Sequence, residues 1–263
     1  MFFKRSRAYE PGRISVSDSS VKTKIKFHGL TEDDLGIIKS WSDVCRNSLD
    51  RLVDKFYEYV LSNSETTGIL LKHSSIERQR PMLSRYILTM FDGVVDDKYV
   101  EYRYKVGVVH DRIALDSHWY MAMYEIIRQF LTKEIESAGA TRSDLKRFTD
   151  AINRLLQVDM AFVLMSQADT YKEKIGKLTE EVEAKFSEAK SFLDEEAKVL
   201  EKVSSRNLTS RMEGNFVGQY GEIKQMLNQT IDNLFDSIGQ IANGAQQVTE
   251  ASGEISSASQ TLA

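Results

Sequence analysis

The segment "YRYKVGVVHDRI", residues 102 to 113, sets a histidine among apolar neighbours at helical spacing. In a helix, Val106, Gly107, His110 and Ile113 share one largely apolar stripe, so the imidazole points the same way as two branched aliphatic side chains. Gly107 in mid-helix costs about 1 kcal/mol relative to alanine. Either a second helix packs closely there, or something flat approaches the backbone one turn before the histidine. A porphyrin, held through one imidazole nitrogen to its iron, is a group of that shape. Tyr57, in "VDKFYEYVL", offers a hydroxyl that could steady a partly negative bound gas, although a lone tyrosine on such a helix is ordinarily core.

The remaining candidates for chemistry are few. His28, His73 and His118 pair with nothing at the spacing of a zinc site, and Cys45 is the only cysteine. A structural metal and an internal disulfide are therefore not expected. The absence of disulfides fits a reducing, cytoplasmic compartment. Cys45 falls on the apolar face of its helix and reads as core.

An all-α fold must position these residues. The chain has 263 residues, 41% of them hydrophobic and 28% charged, and only two prolines, Pro11 and Pro81. Long stretches of Leu, Ile, Lys, Glu, Ala and Gln favour helix, and no run reads as a set of alternating strands. The formal charge of −4 argues against a general nucleic-acid binder. No run of about 18 apolar residues is present, so no membrane span is expected. The N-terminus is basic, with Lys4, Arg5, Arg7, Arg13, Lys22, Lys24 and Lys26, and residues 1 to 24 read as a flexible solvated tail.

Helix signals follow. In "GLTEDDLGIIKSW", Thr31 and Asp34 have capping-box spacing and Leu30 and Leu35 staple spacing. Leu35, Ile38, Cys45, Leu49, Leu52, Phe56 and Val60 then keep a helical period, as one helix or as two joined near Arg46. Ser74 with Glu77, Asp97, and Thr141 with Asp144 mark later starts. Pro81 should kink or restart its helix. Residues 27 to 168 thus read as six to eight helices with short connections.

Beyond residue 168 the pattern changes. Ile175, Leu178, Val182, Phe186, Ala189, Leu193, Ala197 and Leu200 follow an eleven-residue repeat, which suits a nearly straight or slightly right-handed bundle. From Leu227 through Ile231, Leu234, Ile238, Ile241, Ala245, Val248, Ser252, Ile255 and Ser259 to Leu262 the spacing is strictly heptad. Such a seam requires a partner helix. With no helix-stop signal at Ala263, the chain reads as cut from something longer.

"FHGLTEDDL", "KFYEYV", "IERQRPMLSRYILTMFDGVVDDKYVEYRYKVGVVHDRI" and "HWYMAMYEII" together resemble the sensor domain of the globin-coupled sensors, most of all the haem aerotaxis transducers. The likeness covers roughly residues 25 to 168. It implies a globin-like domain binding haem b, with His110 as proximal ligand and Tyr57 as distal hydrogen-bond donor. In the same reading Phe56, Val106 and Gly107 line the cofactor, Tyr120 lies near the proximal side, and Gln79 and Met82 fall where the distal helix faces the iron. Aerotaxis members can carry a hydroxyl residue where this chain has Met82. Residues 169 to 203 would then be a linking signalling helix, 204 to 226 a HAMP-like segment without its usual Asp-Glu pair, and 227 to 263 the start of a transducer coiled coil.

What the resemblance implies is a non-enzymatic gas sensor, for O2 first and CO or NO next. It would act as a homodimer, and in a longer chain would feed a chemotaxis histidine kinase and its coupling protein. The rival readings are a haem-free helical dimerisation adaptor and a haem enzyme. Against the enzyme stand the lack of a convincing distal acid-base pair and the long output-like helices.

Overall fold

The computed structural model describes residues 7–262, and of residues 261 and 262 the backbone alone. Lys4, Arg5, Ala263 and the Leu262 side chain lie outside that range. The order of elements is β1 (Arg13–Ser15), α1 (Ser19–Phe27), α2 (Glu32–Lys39), α3 (Ser42–Ser62), α4 (Ser64–His73), α5 (Ile76–Thr89), β2 (Val94–Asp96), α6 (Asp97–Arg112), α7 (Ser117–Ser137), α8 (Arg142–Ser204) and α9 (Gly218–Leu262). The chain divides into two compact units at Lys174 and Ile175. No helix among the described residues is long and apolar enough to cross a membrane.

The first unit is built mainly from helices, as its composition predicts, with one addition that periodicity did not show. Strands β1 and β2 pair in parallel, Ile14 opposite Val95. Three residues apiece are too short to display alternation, so only the tertiary pairing reveals them.

That pairing also corrects the expected loose tail. Arg7 donates its backbone N–H to Asp144 at 3.1 Å and its guanidinium to Asp43 at 2.8 Å, and it stacks over the Trp41 ring at 4.3 Å. A Cβ on Gly36 would lie 2.1 Å from the Glu10 carbonyl oxygen, so glycine is what lets this segment pass over α2. Asp18 caps α1, and Val16 and Ile25 are buried. Residues 7 to 24 therefore belong to the first unit, because their apolar and capping side chains have partners within it.

Helix starts follow local chemistry closely. The Thr31–Asp34 capping box forms in both directions, with Leu30 and Leu35 buried beside it. Asp144 N–H donates to Thr141 Oγ1 at the start of α8. Two caps sit one residue from their expected places: Ser75 rather than Ser74 caps α5, and Asp96 rather than Asp97 caps α6. Helix α5 runs through Pro81 without interruption, and of the two readings left open, one helix or two joined near Arg46, the stretch forms two helices, joined at Ser40 and Trp41.

The second unit has a small core of its own. Phe192 and Val199 on α8 are buried with Met212 in the connection and Ile231 on α9, and Phe216, Tyr220 and Leu227 pack against them. The Glu195 carboxylate accepts from the N–H groups of Glu213 and Gly214, at 2.6 and 2.7 Å, fixing the connection. The eleven-residue stripe is not what this core uses. Ile175, Leu178, Val182, Phe186, Leu193 and Leu200 are exposed, as are Leu234, Ile238, Ile241, Val248 and Ile255 of the heptad seam.

Candidate functional site

Helix α6 carries His110 two residues before its C-terminus. The helix ends at a left-handed Ala114 (φ 54°), and the His110 carbonyl accepts from Leu115 N–H at 3.0 Å. Burial pushes the imidazole down to about 4, so it is neutral at pH 7, the protonation state that binds metals. Its buried Nδ1 has no hydrogen-bond partner among the described residues. A neutral, half-buried imidazole with an unclaimed nitrogen fits a haem ligand.

The ring beside it belongs to Tyr120, 5.0 Å away between centroids and inclined at 57°. Tyr120 opens onto a feature the sequence did not disclose, a buried cluster of phenols. The hydroxyls of Tyr120 and Tyr86 lie 3.2 Å apart, and both also meet that of Tyr124. Burial first, then the neighbouring phenols and Asp159, holds the Tyr120 and Tyr124 hydroxyls protonated far above the ordinary range.

Next to the phenols is a fully buried ion pair. Arg103 Nε donates to Asp159 Oδ2 at 3.0 Å, both side chains being 0% exposed. Arg103 Nη1 donates to Thr89 Oγ1 at 2.8 Å and the Tyr99 hydroxyl to Asp159 Oδ1 at 2.7 Å. The guanidinium lies over Tyr99 at 3.6 Å and Tyr86 at 4.3 Å. Burial opposes its charge, but Asp159 and the phenols outweigh burial and keep it firmly protonated. Burial also pushes the Asp159 carboxyl up, against the pull of Arg103 and Tyr99.

The other expected site residues divide. Tyr57 is buried on α3, which packs on both α5 and α7, and Phe56 meets its ring edge-on at 5.4 Å. Burial raises the Tyr57 hydroxyl to about 12, so it stays protonated and able to donate. Val106 is half-buried against the same core. Gln79 is half-buried, its amide donating to Ser74 Oγ at 2.8 Å.

Met82 is 55% exposed on α5, whose buried residues are Tyr86 and Ile87. One expectation needs correction. Gly107, expected to admit a flat group, instead admits α8. A Cβ there would lie 1.9 Å from Ser166 Oγ and 2.5 Å from the Val163 carbonyl oxygen. Close helix packing, the alternative left open by spacing, is its structural reason.

Comparison with known proteins bears on the family and the fold. The Protoglobin family model matches residues 17–173, more than half of the chain. The heme-based aerotactic transducer HemAT of Halobacterium salinarum is 21% identical over 174 residues, or 62% of this chain and 35% of that protein. The chain thus spans about a third of the length of that curated relative. Among solved structures, the globin domain of a Geobacter sulfurreducens globin-coupled sensor superposes with a TM-score of 0.51 at 22% identity, over 56% of this chain and 95% of that one. The ferric globin domain of E. coli DosC gives 0.47 at 16% identity, over 56% and 99%. The globin fold of the first unit is shared with that Geobacter domain, and the family match over more than half of the chain makes this chain a member of the Protoglobin family.

Proposed function

We propose that this protein is a haem-based gas sensor, with O2 as its ligand, that passes its ligand state through a dimeric coiled coil to a chemotaxis-type output. The observation that carries this reading is the half-buried, neutral His110 imidazole with its buried, unpaired Nδ1. Haem b, when bound, supplies an iron that takes up a diatomic gas reversibly. His110 would hold that iron, Tyr120 would fix the plane of the imidazole, and the protonated Tyr57 hydroxyl would donate to the gas. CO and NO would compete with less benefit from that donor. No residue is assigned a catalytic role.

The long helices support an output by dimerisation. Exposed apolar stripes on α8 and α9 are those a second copy of the chain would cover. A chemotaxis histidine kinase and its coupling protein would meet a longer form of the chain. Output also requires that the gas bind two states of the dimer with different affinity, since contact alone shifts nothing.

The test is the absorption spectrum of the reduced protein before and after O2, for wild type, His110→Ala and Tyr57→Phe. The expected outcome is a Soret band that shifts reversibly in wild type, is altered or lost in His110→Ala, and relaxes faster on O2 removal in Tyr57→Phe. A wild type without a Soret band, or an unchanged spectrum in His110→Ala, would leave the haem-free adaptor as the reading.

A further inference from the structure

Helix α6 is joined to α8 at three places along one face. Arg103 bonds Asp159, Gly107 seats against Val163 and Ser166, and Asp111 accepts from Lys174 Nζ at 2.8 Å. The α6 members are four residues apart, one turn each, and their partners advance in the same direction along α8. His110 is on the same helix, between the second and third contacts.

A second connection runs through side chains. The His110 ring faces Tyr120, whose hydroxyl meets that of Tyr86, and the Tyr86 ring lies under the Arg103 guanidinium held by Asp159. The imidazole is thereby tied to α8 both through the α6 backbone and through this buried relay. Resting on the sensor reading above, we infer that Arg103 and Asp159 are positioning residues for His110, and that the α6–α8 contact face delivers a displacement of the imidazole to α8. Packed cores shift between discrete arrangements instead of deforming smoothly, so a rigid face suits that delivery.

One variant tells a role in holding the fold from a role in carrying the signal. Arg103→Met with Asp159→Leu replaces the ion pair by apolar groups of similar volume, a kind of change that folded proteins often tolerate. A spin label at Gly176→Cys, where a side chain meets nothing within 4 Å, reads α8 just beyond the last contact. The native Cys45 stays silent to the label, being 1% exposed with its thiol pushed by burial up to about 12.

In haem-loaded wild type, adding O2 should change the mobility of that label. In the double variant, haem binding and cooperative unfolding should persist, while the label's response disappears and the iron–histidine stretching band of the ferrous form shifts. If the double variant fails to fold, Lys174→Gln at the exposed end of the face decides alone: the label's response should weaken, and Lys174→Arg should restore it. An unchanged response and an unchanged band in the folded variant, or no response in haem-loaded wild type, overturns the inference while the sensor reading stands. A wild type that binds no haem overturns both.

Discussion

Removing Arg103 alone should destabilise the first unit severely, while removing Arg103 and Asp159 together should not. Both side chains are fully buried. Arg103→Met leaves the Asp159 carboxylate fully buried with only neutral phenol donors, the Tyr99 hydroxyl at 2.7 Å foremost. Breaking one partner of such a pair costs about 3–5 kcal/mol. Asp159→Leu leaves the guanidinium with Thr89, and its Nη2 is already unpartnered among the described residues, so a similar cost follows. The double replacement removes both desolvation penalties and ranges from roughly neutral to about 4 kcal/mol stabilising. The coupling between the two positions should then be about 6 kcal/mol or more, well outside the ~0.5 kcal/mol within which independent sites add.

The assay is urea unfolding followed by tryptophan fluorescence. Trp41 and Trp119 are the only tryptophans and both lie in the first unit, so the signal is not mixed with the unfolding of the second. A loss below about 1 kcal/mol in Arg103→Met would refute the reasoning, because that is the range of an exposed pair. So would a double variant as unstable as the sum of its singles.

Two further outcomes check the same structure elsewhere. Gly107→Ala should destabilise by about 1–3 kcal/mol, since its methyl would overlap Ser166 and the Val163 carbonyl; Gly68→Ala, in α4 with open space before it, should stabilise by up to about 1 kcal/mol, and thermal melts of the two variants should move in opposite directions. Asp34 accepts from Arg154 Nε at 3.0 Å and Nη2 at 2.5 Å and closes the α2 capping box; burial pushes its carboxyl up, but these bonds prevail and hold it below its ordinary value. Because the folded value is the lower one, its stabilisation is present above about pH 4 and fades as pH falls through the folded value. Asp34→Asn should therefore cost about 2 kcal/mol at pH 7, and its unfolding curve should converge on wild type in acid; a gap that persists at pH 2 would contradict the assignment.

How far the sequence could be read depended on the distance over which each feature is determined. Thr31 and Asp34, or Thr141 and Asp144, are three residues apart, and their caps form as local chemistry predicts. The break at Trp41 left no such trace. Leu35, Ile38, Cys45 and Leu49 keep one period across it, and the Trp41 side chain makes no capping bond. The strands β1 and β2 are too short to alternate, and the docking of Arg7 on Asp144 spans most of the first unit.

The same division runs through the site. The family resemblance pointed to His110, Tyr57 and Tyr120 as site residues, because the motifs that carry it are local patterns. Arg103 and Asp159, 56 residues apart, carry the side chains of a solvated surface, and nothing in their neighbourhoods marks them as a buried pair. Gly107 was equally ambiguous, since a missing Cβ shows that something comes close without showing what. Only the packing of α6 on α8 decided that it was a helix, and only the convergence of α5, α6, α7 and α8 brought Tyr86, Arg103, Tyr124 and Asp159 together behind the histidine. Helices and caps are settled within a turn or two of chain; which groups end up dry and paired depends on how separate helices meet, and that is a property of the tertiary structure.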